Sequence, residues 1–198
     1  MVIVLMGMSC VGKDRVRKEL CGGGEYVNIV SHTSRPKREN EIEGIDYNFI
    51  SKDEFNNLID NNEMLEYRNY ETNWYGKGET WFYGVKKFEP SKDTNYVIVM
   101  DLKGAESITK YFGEENCVLI YLTANDGIRE ARAISRGSFD KQEWDRRMLA
   151  DYKDFSFDKI SAFMRRHKVW EIENNIYGDK AIKEIADVIN FIAEGRLH

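Results

Sequence analysis

The chain of 198 residues holds only three cysteines, Cys10, Cys21 and Cys117, and two prolines, Pro36 and Pro90. Three scattered thiols cannot build a disulfide framework, and none has the CxxC spacing of a zinc site. Free thiols in a reducing cytosol are the simple reading. With so little proline, and with no Pro/Gly/Ser tract, internal repeat or low-complexity stretch, one domain over residues 1–198 is expected. A basic excess is also missing: 29 Lys and Arg face 34 Asp and Glu, for a net charge of −5. That argues against a general nucleic-acid binder, although a local arginine cluster can still hold a small anion. Long apolar runs are absent too. The opening run Val2-Ile3-Val4-Leu5-Met6 is far too short for a membrane span and lacks the basic segment of a signal peptide. It reads as a buried strand, and the composition points to a cytoplasmic protein of open oligomeric state.

What is present is an alternation of apolar β-rich runs with amphipathic stretches. The pattern predicts strands at Val2–Met6, Tyr26–Val30, Asp46–Ile50, Tyr96–Met100, Cys117–Leu122 and Val169–Ile172. Helices are expected over Gly12–Leu20, from Ser51 through Ile59, over Gly104–Tyr111, Gly127–Ser135 and Lys180–Ala193, with one long charged helical region over Lys141–Arg166. Ser51 followed by Glu54 has the spacing of a capping box. Ser31–Gly44 is too charged to pack as core. Met64–Tyr83 is aromatic and alternating, with turn signals at Gly76 and Gly78, which predicts a hairpin or meander followed by a helical segment. Alternation at this spacing implies an α/β fold, a doubly wound parallel sheet with a small β-rich insertion.

Directly after the first strand stands Gly7-Met8-Ser9-Cys10-Val11-Gly12-Lys13, the GxxxxGK core of a phosphate-binding P-loop. Glycines let backbone N–H groups turn inward around a β-phosphate, the lysine reaches the β/γ oxygens, and the following helix adds its positive end. Gly7, Ser9, Cys10, Val11, Gly12, Lys13 and Asp14 are the expected nucleoside-triphosphate contacts. Asp14 occupies the position where a Ser/Thr hydroxyl usually ligates Mg²⁺. A carboxylate is also a hard oxygen ligand, so Asp14 is a candidate metal ligand; it could equally repel a triphosphate.

The next candidate anion site is Ser31-His32-Thr33-Ser34-Arg35-Pro36-Lys37-Arg38, followed by Gly44-Ile45-Asp46-Tyr47-Asn48-Phe49-Ile50-Ser51. Arg35 and Arg38 form a compact clamp, to which Tyr47 can add a hydroxyl. These two segments resemble the S-x-T-T-R-x-x-R…G-x-D-Y-x-F-x-S signature of guanylate kinases. Glu63-Met64-Leu65-Glu66-Tyr67 is similar to that family's E-F-L-E-W stretch, Tyr83-Gly84 to its Y-G pair, and Val99-Met100-Asp101 to its acidic strand end. Arg132, Arg136-Gly137 and Arg147 match the spacing of its lid arginines. The resemblance runs from residue 2 to about 155 and more loosely to the end.

It implies a P-loop nucleoside monophosphate kinase that moves the γ-phosphoryl of ATP onto GMP or dGMP, with Mg²⁺. By the same resemblance Arg35, Arg38, Tyr47 and Tyr83 would hold the acceptor phosphate, while Ser31, Glu66 and Asp101 would read the base. Adjacent N1–H and N2 amino donors of guanine suit a carboxylate such as Glu66. Lys13, Arg132, Arg136 and Arg147 would be catalytic, neutralising charge during transfer without a general base. At i, i+4, Arg132 and Arg136 are expected on one helix face. The core would cover about 1–31, 84–135 and 167–198, the acceptor-binding region about 32–83 and the lid about 136–150. Two departures stand out. There are two Tyr-Gly pairs, Tyr75-Gly76 and Tyr83-Gly84, and Val85 replaces a base-contacting Ser/Thr. Val85 and Asp14 suggest, as one rival reading, a deoxynucleotide kinase of different base choice; a non-catalytic binding module of the same fold is the other.

Overall fold

The computed structural model of the chain describes residues 1–39, 41–74, 77–135, 137 and 139–195. Two compact units emerge, one formed by residues 1–27 and 94–198 and the other by residues 28–93.

The first unit is built on a five-stranded sheet. Its strands are β1 (Val2–Met6), β2 (Tyr26–Asn28), β7 (Asn95–Met100), β8 (Cys117–Thr123) and β9 (Val169–Glu173), in the order β2-β7-β1-β8-β9. β1 runs parallel to both β7 and β8, and β8 runs parallel to β9. Every residue of β1 is fully buried, as a central strand covered on both faces requires. Alternation divides the core. Ile3 and Leu5 of β1 and Val118, Ile120 and Leu122 of β8 pack with Val16 and Leu20 of α1 (Lys13–Gly22) and with Ile182, Ile185 and Ile189 of α7 (Asp179–Glu194). α3 (Leu102–Phe112) packs against β1, β7 and β8, burying Ala105 and Ile108. Each large aliphatic side chain removed from water in this way contributes about 1.5–3 kcal/mol. After β1 the chain winds towards β2 and β7, and later towards β8 and β9. The loop after β1 therefore lies at the switch point, where sheets of this kind bind ligands.

The expected long helix of residues 141–166 is two helices, α5 (Lys141–Asp154) and α6 (Phe157–Arg166). Phe155 leaves helical geometry and buries its ring, stacked on Tyr121 at 5.9 Å, while Ser156 begins the next helix from an extended conformation. A local demand for apolar burial thus interrupts a stretch whose composition is uniformly helical. α4 (Asp126–Ile134) ends with Ser135 as its C-cap, so the helix face expected to carry both Arg132 and Arg136 stops before position 136. Arg136 itself lies outside the described residues.

The second unit is a four-stranded sheet of β3 (His32–Thr33), β4 (Asn48–Phe49), β5 (Met64–Trp74) and β6 (Lys77–Lys86), in the order β4-β3-β6-β5. The hairpin expectation holds for β5 and β6, but the helical segment expected after Gly84 is not there: β6 continues to Lys86, and the next helix is α3. Gly84 faces the neighbouring strand so closely that a Cβ would stand 2.5 Å from the Glu66 carbonyl oxygen. α2 (Lys52–Asp60) starts at the capping box expected from the sequence, with Ser51 Oγ accepting from Glu54 N–H and the Glu54 carboxylate accepting from Ser51 N–H. Its Phe55 is fully buried against Phe82, with ring centroids 5.3 Å apart. The charged segment 31–44 does contribute to the core, contrary to expectation. Thr33 is fully buried with its hydroxyl donating to Phe82 O, and Arg35 is only 4% exposed.

Candidate active site

The loop between β1 and α1 is built outward-in. Gly7 has φ +144°, and a Cβ there would collide with the Leu122 carbonyl oxygen, so only glycine can open the loop. Lys13 Nζ donates to the carbonyls of Gly7 and Met8 at 2.6 and 2.7 Å. Arg129 Nε donates to Ser9 O at 2.9 Å. A guanidinium nitrogen of Arg132 donates to Val11 O at 3.2 Å and more weakly to Cys10 O at 3.4 Å, and Asn174 Nδ2 donates to Val11 O at 2.8 Å. Gly12 O accepts from the N–H groups of Arg15 and Val16 as α1 begins. Every carbonyl from residue 7 to residue 12 is thus held by a donor, five of the six by side chains. The N–H groups of Cys10, Val11 and Gly12 take no partner among the described residues. A run of held carbonyls and unpaired amides at a helix N-terminus has the make-up of an anion nest.

The positive charge of that nest is concentrated at Lys13. Burial lowers its pKa, opposed by the carboxylates of Asp14 and Asp151, which favour the ammonium form, whereas Arg129 opposes it. Asp14 sits in the first turn of α1 beside Lys13. Arg147, expected in the lid, lies in α5 and donates through Nε to Glu143 at 2.7 Å. Burial pushes the Glu143 carboxyl up, but hydrogen bonds from Arg146 and Arg147 outweigh it and hold the pKa at about 2. Arg132 also donates to Asn174 and to Ile176 O. It therefore braces the loop from behind.

In the unit of residues 28–93, β3 joins β4 in parallel and β6 in antiparallel register, pairing His32 with Gly84 and Thr33 with Tyr83. This gathers three of the expected acceptor residues. The Arg35 guanidinium stands over the rings of Tyr47 and Phe49 at 5.1 and 5.4 Å, and Tyr47 meets Tyr83 edge-on at 5.9 Å. Tyr83 is thus beside Tyr47, while Tyr75 and Gly76 lie outside the described residues. Arg35 is not an open clamp, however. It makes a two-pronged ion pair with Glu41 at 2.7 and 2.6 Å, and Glu41 also accepts from the Arg38 N–H at 2.9 Å. Burial pushes the Glu41 carboxyl up, but the Arg35 hydrogen bonds prevail and lower it. Glu41 was missed by the sequence reading. Its only signal there is an acid six residues beyond Arg35.

Glu66 follows a bulge in β5, where the register with β6 shifts between Met64 and Glu66. Such a bulge re-aims the side chain beside it. The Glu66 side chain is 6% exposed and pairs with Arg68 at 3.1 Å. Its cross-strand neighbour Val85 is buried, so the position where the resemblance leads one to expect a polar base contact serves the core. Ser31 O accepts from Asn48 N–H. Asp101, in the first unit, caps α3 by accepting from Gly104 N–H at 2.6 Å.

A family model described as guanylate kinase matches residues 1–189. The chain belongs to the guanylate kinase family. A guanylate kinase of Clostridium tetani is 29% identical over all of this chain and 96% of its own length. One from Enterococcus faecalis is 34% identical over 75% of this chain and 71% of its own. A crystal structure of guanylate kinase from Anaplasma phagocytophilum superposes with a TM-score of 0.62 at 25% identity, covering 98% of this chain and 85% of that one. The expectation of an enzyme of the nucleoside monophosphate kinase kind, on a P-loop α/β fold, is borne out, and neither rival reading is favoured.

Proposed function

We propose that this guanylate kinase family member transfers the γ-phosphoryl group of ATP to GMP or dGMP, giving ADP and GDP or dGDP. The observation that carries the donor half is the loop of residues 7–13, in which each carbonyl from residue 7 to residue 12 is held by a donor while the Cys10, Val11 and Gly12 amides take no partner among the described residues. Cys10, Val11, Gly12 and Lys13 would hold the ATP phosphates, with Gly7 opening the loop and Ser9, whose N–H and hydroxyl are taken by Asp151, shaping it. Arg35, Arg38, Tyr47 and Tyr83 would hold the acceptor phosphate, with Glu66 accepting from the two guanine donors. Residues 32–83 then act as the acceptor-binding region and residues of about 136–150 as the lid.

Transfer asks little covalent work of the protein. The acceptor phosphate oxygen is already a nucleophile, so positioning and charge neutralisation suffice. Lys13, Arg136 and Arg147 would offset charge on the equatorial oxygens, while Arg132 contributes through the loop it braces. Mg²⁺ bound with nucleotide takes one or two protein carboxylates plus phosphate oxygens, and Asp14 beside Lys13 is a donor of that kind, so the residues present fit the ion. Asp14 would help to hold the metal, which would supply neutralisation of phosphate charge. The cysteines are free, and among the described residues no helix is long and apolar enough to cross a membrane. We place the enzyme in the cytoplasm, where its nucleotide substrates are.

Measuring ADP formation with GMP, dGMP, AMP, CMP and UMP tests the reading. Turnover with GMP or dGMP at least tenfold above the other acceptors is expected. A preference for AMP or a pyrimidine nucleotide would overturn the acceptor assignment, and no turnover with any of them would overturn the reaction.

A further inference from the structure

Ser9, in the middle of the loop, has all three of its polar groups held by one buried ion pair. Its N–H donates to Asp151 Oδ2 at 2.7 Å and its hydroxyl to Asp151 Oδ1 at 3.1 Å, while its carbonyl accepts from Arg129 Nε. Arg129 and Asp151 meet at 2.5 Å, with side chains 1% and 13% exposed. Arg129 is fully buried on α4, an unusual place for a guanidinium unless it is paired. Its remaining nitrogen donates to Asp126, which in turn accepts from the Tyr152 hydroxyl, and reaches the Met8 sulfur at 3.1 Å. Asp151 and Tyr152 both belong to α5.

We propose that Arg129 and Asp151 are positioning residues for the donor nucleotide: by clasping Ser9 from α4 and α5 they set the curvature of the P-loop, and so its affinity for the ATP phosphates. The inference rests on the P-loop reading. Cys10 follows Ser9 at φ +62°, a backbone state costly for a side-chain-bearing residue and kept only where its surroundings impose it. The clasp holds both sides of the Ser9 residue, its amide and its carbonyl, at the point where the chain turns into that state. It also ties the loop to α5, the helix that carries Arg147, so the donor site and a proposed lid arginine share one rigid connection. Neither residue needs to touch nucleotide for this.

The test is titration of the full chain with Mg·ADP, with ATP and GMP kinetics in parallel. Wild-type binding of Mg·ADP checks the P-loop reading by itself; the ratio of variant to wild type checks the clasp. Arg129→Lys keeps the charge facing Asp151 and loses the Nε bond to Ser9, and Asp151→Asn keeps the shape and loses the charge. Each is expected to weaken Mg·ADP binding and raise the ATP KM about tenfold or more, with the GMP KM changed less than twofold. Should a single variant fail to fold, the apolar pair Arg129→Met with Asp151→Leu replaces it; Asp126 then loses a partner but is exposed to water, so no buried charge is left unpaired. ATP and GMP KM values within twofold of wild type in a folded variant would overturn the proposal, as would an equal rise in both.

Discussion

The donor and acceptor regions reach a similar end by opposite means. Around residues 7–13 the proposed ligand contacts are backbone amides and the Lys13 ammonium, and the side chains of Lys13, Arg129, Arg132 and Asn174 hold the carbonyls. In the unit of residues 28–93 the proposed contacts are the side chains themselves, and each is already engaged: Arg35 with Glu41, Tyr47 with Tyr83, Glu66 with Arg68. A backbone site depends on glycine positions and on the side chains that hold its carbonyls. A side-chain site depends on the partners that hold each group in place. The first should therefore break through charge and curvature, the second through loss of a partner.

The largest effect is expected at the centre of the donor loop. Lys13→Ala should lower kcat by about two to three orders of magnitude with the fold intact, as when a preorganised charge stabiliser is removed. A near-wild-type rate would sink the P-loop assignment. In the acceptor region the corresponding weak point is the partner. Glu41→Ala leaves the Arg35 guanidinium buried without its carboxylate, which should cost about 3 kcal/mol in chemical denaturation. If the transition does not move, the pair is not part of what holds that unit together.

Direct removal of acceptor contacts comes next. Arg38→Ala and Tyr47→Phe should each raise the GMP KM by about tenfold, the loss of roughly one hydrogen bond to a charged group, and leave the ATP KM nearly constant. A rise confined to ATP would mean that the two substrate regions are assigned in reverse. At Asp14 the two kinds of site meet, since a side chain stands at the end of a backbone nest. If its carboxylate is a metal ligand, Asp14→Ala should raise the Mg²⁺ concentration for half-maximal rate severalfold and Asp14→Thr should restore it. If it only favours the helix dipole, both should cost at most about 1 kcal/mol of stability and leave the Mg²⁺ titration alone.

The smallest effect concerns acid. The Glu143 pKa is about 2 in the folded chain, below the ordinary carboxylate value, so its stabilising contribution is complete above about pH 4.5 and is lost as pH falls towards 2. Glu143→Gln should therefore lower the melting temperature slightly at pH 6, and the difference should shrink at pH 3. A constant difference across that range would show that the arginines do not act through the carboxylate charge.

Apolar periodicity, glycine spacing and capping chemistry are local properties, and they made most of this molecule legible in its sequence. They placed β1, β7, β8, α3 and α7 within a residue or two, the capping box at Ser51, and the loop of residues 7–13 between a strand and a helix. What they could not reach are pairings between distant residues. Tertiary structure alone decided that Phe155 breaks the helical stretch because its ring finds Tyr121, and that β6 runs on past Gly84 because β5 is there to pair with it. It also buried Arg35 in a segment read as solvent-facing, because Glu41 folds back on it, and it placed Arg129 beside Asp151 on the Ser9 backbone. A charged side chain in a sequence carries no mark of whether it will meet water or an opposite charge. Only the fold brings the partner that makes burial affordable.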